Sequence, residues 1–185
     1  MSRHILLYGP PGAGKLTVAR CLAARYGVKV LDNTLTVDVA LRLFEFGTKQ
    51  FDDLVERLRL DLLDAAGRAG VDVVSTFVYA HPVDRGYVDR LVEAWEAHGG
   101  AVTFVQLCPA REVLEHRVTD PSRAEVAKVR EVAHLRRMLD QYDLTTPVHD
   151  DDLSIDNSAV SPEAVASRIA QVAGLAEAPA PTPPG

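Results

Sequence analysis

Short, continuous apolar runs alternate with longer amphipathic stretches along almost the whole chain. Residues 5–8 (ILLY), 28–31 (VKVL), 71–78 (VDVVSTFV) and 101–107 (AVTFVQL) have strand length and no helical period, so each predicts a buried strand. The β-branched run at 71–78 predicts burial on both faces, as in a parallel sheet. Residues 152–156 (DLSID) predict a fifth, shorter strand. Between these runs the apolar period lengthens, and helices are predicted over 15–26, 35–46, 49–69, 82–99, 109–118, 124–142 and 162–174. In the longest, Phe51, Leu54, Val55, Leu58, Leu62 and Ala65 recur on one face and form the predicted buried stripe. Arg59 sits on the margin of that stripe, and Arg57 faces away, beside Asp53 and Asp61. The 35–46 segment is apolar nearly all round, with Asp38, Arg42 and Glu45 in one narrow sector.

Punctuation supports these boundaries. Gly27, the Gly99-Gly100 pair and Gly174 stop helices, and Pro109 is expected at a first helical position, where its missing N–H costs nothing. Thr119-Asp120-Pro121-Ser122 breaks one helix from the next, and Ser161-Pro162-Glu163 supplies a cap, a proline and an early acid for the last. No internal repeat is visible. Strands alternating with helices predict a three-layer α/β sandwich whose ligands sit beyond the C-terminal ends of the strands.

Composition narrows the partners. At 185 residues and 47% apolar, the chain is expected to form one domain over 1–174, with a Pro- and Ala-rich tail at 175–185 that cannot build a core and is expected to be disordered. The net charge of −6 argues against general nucleic-acid binding, though not against a local basic cleft. No apolar run is long enough to span a bilayer and no leader precedes the first strand, so the expected location is the cytoplasm. Cys21 and Cys108 match no metal spacing and are expected to be buried free thiols.

The most informative stretch is HILLYGPPGAGKLTV, residues 4–18. Gly9, four residues, then Gly14 and Lys15 is the spacing of a phosphate-binding loop, delivered by a strand and left by a helix. Such a loop curls backbone N–H groups round a phosphate, the helix N-terminus faces the anion, and the lysine adds a point charge. Gly12, Ala13, Gly14, Lys15, Leu16 and Thr17 can all supply N–H groups, since backbone donors do not depend on the side chain. One position departs from the pattern: the hydroxyl residue expected straight after the lysine is Leu16, with Thr17 one place late and turned by about 100° on the helix. A hydroxyl there would bind Mg²⁺, and leucine cannot; Thr17 and Asp32 are the candidate replacements, directly or through water.

Laid out in this way, the chain resembles the nucleoside-monophosphate-kinase-like group of P-loop proteins, closest to shikimate kinase-like small-molecule kinases. The resemblance rests on GPPGAGKLT at 9–17, on the polar break LDN at 31–33 and on RVTDPSR at 117–123 in the place of a lid. It also rests on LSIDN at 153–157 followed by SPEAVASRI at 161–169. It implies a five-stranded parallel sheet of order 2-3-1-4-5 flanked by helices, a small lid over about 118–131, and ATP and Mg²⁺ as cofactors. It further implies that Asp32 orients or deprotonates an acceptor hydroxyl, although capping the following helix is the competing role, shared with Asn33 and Thr34. Arg117 is implied beside the adenine and Arg123 over the phosphates, with Asn157 and Ser158 approaching the adenine through their backbone.

Acceptor contacts are read from the residues themselves. Arg59 points inward from its stripe, or snorkels; Asn33 lies at the pocket's start, and Thr76, Tyr79 and Asp84 follow the buried run of the third strand. Ser75 and Thr76 stand where many P-loop ATPases carry a Walker-B acid. The six histidines form no ligand spacing, and His81 is read as a turn residue. The leading expectation is a kinase that phosphorylates a hydroxyl of a small molecule. A nucleotide-dependent switch or ATPase is the alternative, and a nucleic-acid 5′-hydroxyl kinase a weaker one. A large AAA-type motor is disfavoured, because the chain is short for the usual helical subdomain and shows no Walker-B acid.

Overall fold

The computed structural model describes residues 2–121 and 129–178. Its elements run in the order β1 (Arg3–Tyr8), α1 (Lys15–Tyr26), β2 (Lys29–Leu31), α2 (Asn33–Ala40), α3 (Lys49–Arg68), β3 (Val73–Phe77), α4 (Arg85–Glu96), β4 (Ala101–Leu107), α5 (Arg111–Val118), α6 (Val132–Gln141), β5 (Leu153–Ile155) and α7 (Pro162–Ala173). The strands form one five-stranded sheet, β2-β3-β1-β4-β5, as expected. Every neighbouring pair is parallel, so Leu31, Phe77, Tyr8, Leu107 and Ile155 all end on one edge of the sheet. The register sets Tyr8 beside Phe77 on one side and Gln106 on the other.

The central strand explains the three layers. Side chains alternate across a strand, and β1 is apolar at consecutive positions, so it feeds both faces. Ile5 and Leu7 pack with Val18, Leu22 and Ile169, residues of α1 and α7. Leu6 and Tyr8 pack with Leu63, Leu91 and Trp95, residues of α3 and α4. All four β1 residues are essentially inaccessible.

Several predicted boundaries change. The helix expected over 35–46 stops at Ala40; Leu43 and Phe44 then donate back to the Ala40 carbonyl, and Gly47, at φ 77°, turns the chain into the Thr48 cap of α3. Along α3 the expected stripe holds for Phe51 and Val55, but Leu62 is 46% exposed and Ala65 is also exposed, whereas Leu63 and Gly67 are buried. The cause is a change of partner, because α3 packs against both α2 and α4 and the buried seam moves round the helix between them. Pro109 precedes the N-cap Ala110 rather than opening α5. The thiols are free, but Cys108, just past β4, is exposed and Cys21 only half-buried. Residues 122–128 of the expected lid, Arg123 among them, lie outside the described residues, as do 179–185 of the tail.

Candidate functional site: a phosphate loop and an adjoining polar crevice

The loop between β1 and α1 owes its shape to three glycines. Gly9 has φ 141°, and a Cβ there would stand 2.3 Å from the Leu107 carbonyl oxygen of β4, so nothing larger fits. Gly12 and Gly14 also take positive φ, at 87° and 88°. Gly14 caps α1 without any side-chain hydrogen bond. The first-turn N–H groups, which have no intrahelical acceptor, therefore face the loop at the positive end of the helix. Ala13 N donates to Pro10 O at 3.2 Å, closing the turn. Lys15 Nζ folds back over the loop and donates to the carbonyls of Gly9 at 2.6 Å and Pro10 at 2.8 Å. This is a cradle for an anion with its lysine already gathered in. Leu16 is half-buried and brings no oxygen, and Thr17 is exposed.

The far wall of the loop is polar and buried. Asn157, just past β5 and 4% exposed, donates from Nδ2 to the Ala13 carbonyl at 2.8 Å. Arg117 of α5 donates in turn to the Asn157 carbonyl at 2.9 Å. Arg117 Nη1 and Asn157 Oδ1 are both buried without a hydrogen-bond partner. Ser158 accepts from Ala110 N, and Asp156 accepts from the N–H and hydroxyl of Ser158, which hold its carboxyl below the usual range.

Two strands over, Asp32 closes β2 and caps α2. Its Oδ1 accepts from Thr34 N at 3.4 Å and from the Thr76 hydroxyl at 3.1 Å, and its Oδ2 from the Thr34 hydroxyl at 2.8 Å. A carboxylate offers about four lone-pair directions, so one on Oδ2 is left over by these bonds. Thr76 Oγ1 also accepts from Asn33 N at 3.0 Å. Arg59 reaches this cluster from α3, donating to Asn33 Oδ1 and, at 3.1 Å, to Thr36 Oγ1. Its guanidinium lies against the rings of Phe77 and Tyr87, 5.5 and 5.9 Å from their centres. Burial pulls the Arg59 pKa down, and the charge of Asp84 acts the other way. Asp32, Asn33, Arg59, Thr76, Phe77 and Tyr87 line a crevice with about 10 Å³ of free space, roughly one water.

The structure therefore gathers Asp32, Asn33, Arg59 and Thr76 into one cluster and leaves out Tyr79. That side chain is 1% exposed in the core against Tyr8, with its hydroxyl 3.1 Å from His81 Nδ1. It is a packing residue of the buried cluster that holds Leu6, Tyr8, Val88 and Leu91. Asp84 accepts from Ala80 N at 2.8 Å and holds the turn before α4, and burial raises its pKa. Thr36 and Tyr87 were missed from sequence. Thr36 occupies a buried position of α2 and Tyr87 an early turn of α4, and neither carries a local signal for a role 23 or more residues away.

A parallel sheet of this order, with a glycine-shaped phosphate cradle after its central strand, defines a P-loop protein of kinase-like fold. Residues 5–145 match the AAA_33 family, described as an AAA domain, and the chain belongs to that family. β3 carries Ser75 and Thr76 and no acid. No curated protein matches the chain. Among solved structures it is similar to a tunicamycin resistance protein from Deinococcus radiodurans, 23% identical over 97% of this chain and 99% of that one, with a TM-score of 0.66. It is similar to a sugar kinase from Janibacter sp. HTCC2649, 21% identical over 95% and 96%, at 0.64. It is also similar to a shikimate kinase from Acinetobacter baumannii in complex with shikimate, 21% identical over 93% of each chain, at 0.59. At these identities the likeness shows the fold.

Proposed function

We propose that this protein is an ATP-dependent phosphotransferase that moves the γ-phosphoryl group to a hydroxyl of a small molecule. The observation that carries the reading is the pairing of two unlike sites on one sheet edge. Backbone donors and Lys15 lie beyond β1, and the Asp32–Asn33–Thr76–Arg59 cluster lies beyond β2 and β3. The kinase names of the similar structures support it.

In this reading the N–H groups of Gly12 and of Gly14 to Thr17, with the Lys15 ammonium, hold the β- and γ-phosphates, while Ala13 N stays on Pro10 O. The acceptor sits at the mouth of the crevice, which has room for one hydroxyl, and exchanges its own polar groups for the bonds Arg59 makes to Asn33 and Thr36. Its hydroxyl takes the remaining lone pair on Asp32 Oδ2, which orients the attack and receives the proton. A bond forms between the acceptor oxygen and Pγ as the bond from Pγ to the bridging oxygen breaks, leaving ADP. Arg117 and Asn157 flank the nucleotide on the β5 side, and Arg123 is assigned to the phosphates from sequence alone. The donor set suits Mg²⁺ held by the phosphates and its own waters, because Leu16 has no oxygen, Thr17 is exposed and the lone pairs of Asp32 are taken, so that Asp32 would act on the ion through its charge. The ion would neutralise charge building on the phosphate oxygens.

The test is ADP release with a panel of hydroxylic acceptors, the product being identified by mass spectrometry. Release that rises only with an acceptor is the expected result. Leu16 favours a second reading, a nucleotide-dependent switch or ATPase, and acceptor-independent release would select it.

A further inference from the structure

Asn157 is 144 residues from the carbonyl it holds, and its side chain is buried where a ligand-contacting amide would be open. Its Nδ2 donates to Ala13 O, the acceptor of the peptide joining Ala13 to Gly14. A trans peptide is planar, so its C=O and N–H point in opposite directions. Holding the Ala13 oxygen toward Asn157 therefore aims the Gly14 N–H away from Asn157. This peptide is the loop's weak point, because Gly14 sits at φ 88° and ψ 14° and glycine tolerates the reversed peptide nearly as well. No other described hydrogen bond is made to that oxygen. Arg117 fixes the orientation of Asn157 by donating to its carbonyl, and a Cβ on Gly14 would lie 3.6 Å from Asn157 Nδ2 and 3.8 Å from Arg117 Nη1. The two side chains thus lie beside the loop at the residue with the most conformational freedom.

We propose that Asn157 is a positioning residue that locks the Ala13–Gly14 peptide so that the Gly14 N–H is presented to the phosphate chain, with Arg117 orienting Asn157. The inference rests on the nucleotide-binding reading above and changes its detail: the β5 turn acts on the phosphates through the loop rather than on the base alone.

The separating probe is inorganic tripolyphosphate, which has the phosphates and no base. Calorimetry is run on the whole chain with MgATP and with tripolyphosphate, for wild type, Asn157→Ala and Asn157→Asp, at pH 8 and pH 5. Binding of MgATP by the wild type checks the nucleotide reading by itself. Given that, both variants should bind tripolyphosphate about 10- to 100-fold more weakly than wild type at pH 8, the range expected for a lost hydrogen bond in a charged site. Asn157→Asp has the same shape but donates only when protonated. Its deficit relative to wild type should shrink toward pH 5, and that of Asn157→Ala should not. The charged groups around the position are Lys15 on the loop, Arg117 on α5 and Asp156 in the same turn, and the ratio to wild type at each pH cancels their own titration. Thermal melts confirm that each variant is folded. Tripolyphosphate affinity within twofold of wild type in both variants, or an Asn157→Asp deficit that is the same at both pH values, overturns the proposal.

Discussion

Lys15 and Asp32 are small parts of the chain on which the proposed chemistry turns, and each is held by bonds that constrain what a substitution does. Lys15 is drawn onto the Gly9 and Pro10 carbonyls, so Lys15→Met should leave the fold intact while removing the one cation of the described loop. MgATP affinity is expected to fall at least tenfold, measured by calorimetry, with an unchanged melting temperature. Asp32→Asn keeps a capping oxygen for Thr34 N and loses the proton acceptor. A general base of this kind contributes about 10²–10⁴ in rate, so kcat should fall by that order while the acceptor KM changes little. The dependence on Mg²⁺ should weaken in the same variant; an unaltered metal profile would remove Asp32 from the metal's surroundings. Arg59 is the opposite case, a binding group, and Arg59→Lys should raise the acceptor KM with kcat nearly kept, because an ammonium cannot span Asn33 and Thr36 as the guanidinium fork does. Of these residues, Lys15 was legible from its spacing alone. Arg59 was legible as inward-facing from its place on the stripe, but its partners were not, since Asn33 and Thr36 are 26 and 23 residues away.

At the scale of elements, β1 and the loop it delivers hold the molecule's two kinds of order together. Leu7 is fully buried between α1 and the neighbouring strands, and Leu7→Ala should cost about 2–5 kcal/mol, read as a drop in the urea midpoint at constant slope. Gly9 is a backbone requirement: any Cβ meets the Leu107 carbonyl, so Gly9→Ala should displace the loop from β4 and weaken nucleotide binding more than stability. Strand identity was readable because β1, β3 and β4 are apolar beyond the reach of one face. The α2–α3 hairpin was read less well. A single helix over 35–46 satisfied the apolar period, but the helix ends at Ala40, where Leu43 and Phe44 both donate to its carbonyl in a turn, and the stripe of α3 slid from Leu62 to Leu63 as its neighbour changed from α2 to α4. Periodicity reports that a face is buried; it does not report where along a helix the burying partner is exchanged.

The whole molecule carries a pH signature in His4. Its ring is inaccessible, with Nε2 2.6 Å from Ser75 Oγ, Nδ1 unpartnered and Trp95 beside it at 5.1 Å. Burial lowers its pKa from 6.5 to about 3. The folded state therefore keeps the ring neutral while the unfolded chain takes up a proton below 6.5, so the stability is complete above that pH and is lost as pH falls toward 3. The loss is about 1.4 kcal/mol per pH unit, or about 2 kcal/mol between pH 6.5 and 5. Glu115, held at about 2 by Arg136 and Arg111 against an ordinary 4.5, gives up its contribution only below that window. Chemical denaturation at pH 6.5 and pH 5 should show this slope in the wild type and not in His4→Gln. The histidine itself gave no sign of this from sequence, where it was one of six without a ligand pattern.

Local chemistry along the chain dictates a strand, a glycine-shaped turn, a helix left uncapped to receive an anion, and four further strand–helix alternations that leave a parallel α/β sheet as the consistent fold. The loop's one departure, Leu16, was equally visible. Which distant groups complete the candidate site follows from packing and not from local pattern. Asn157 reaches Ala13, Arg59 reaches Asn33, and Tyr79, adjacent to the crevice in sequence, is turned into the core instead. Backbone donors, caps and periodicity act within a few residues, whereas these contacts are set by how helices lie across an open five-stranded sheet, and that is fixed by packing on both faces of β1 at once.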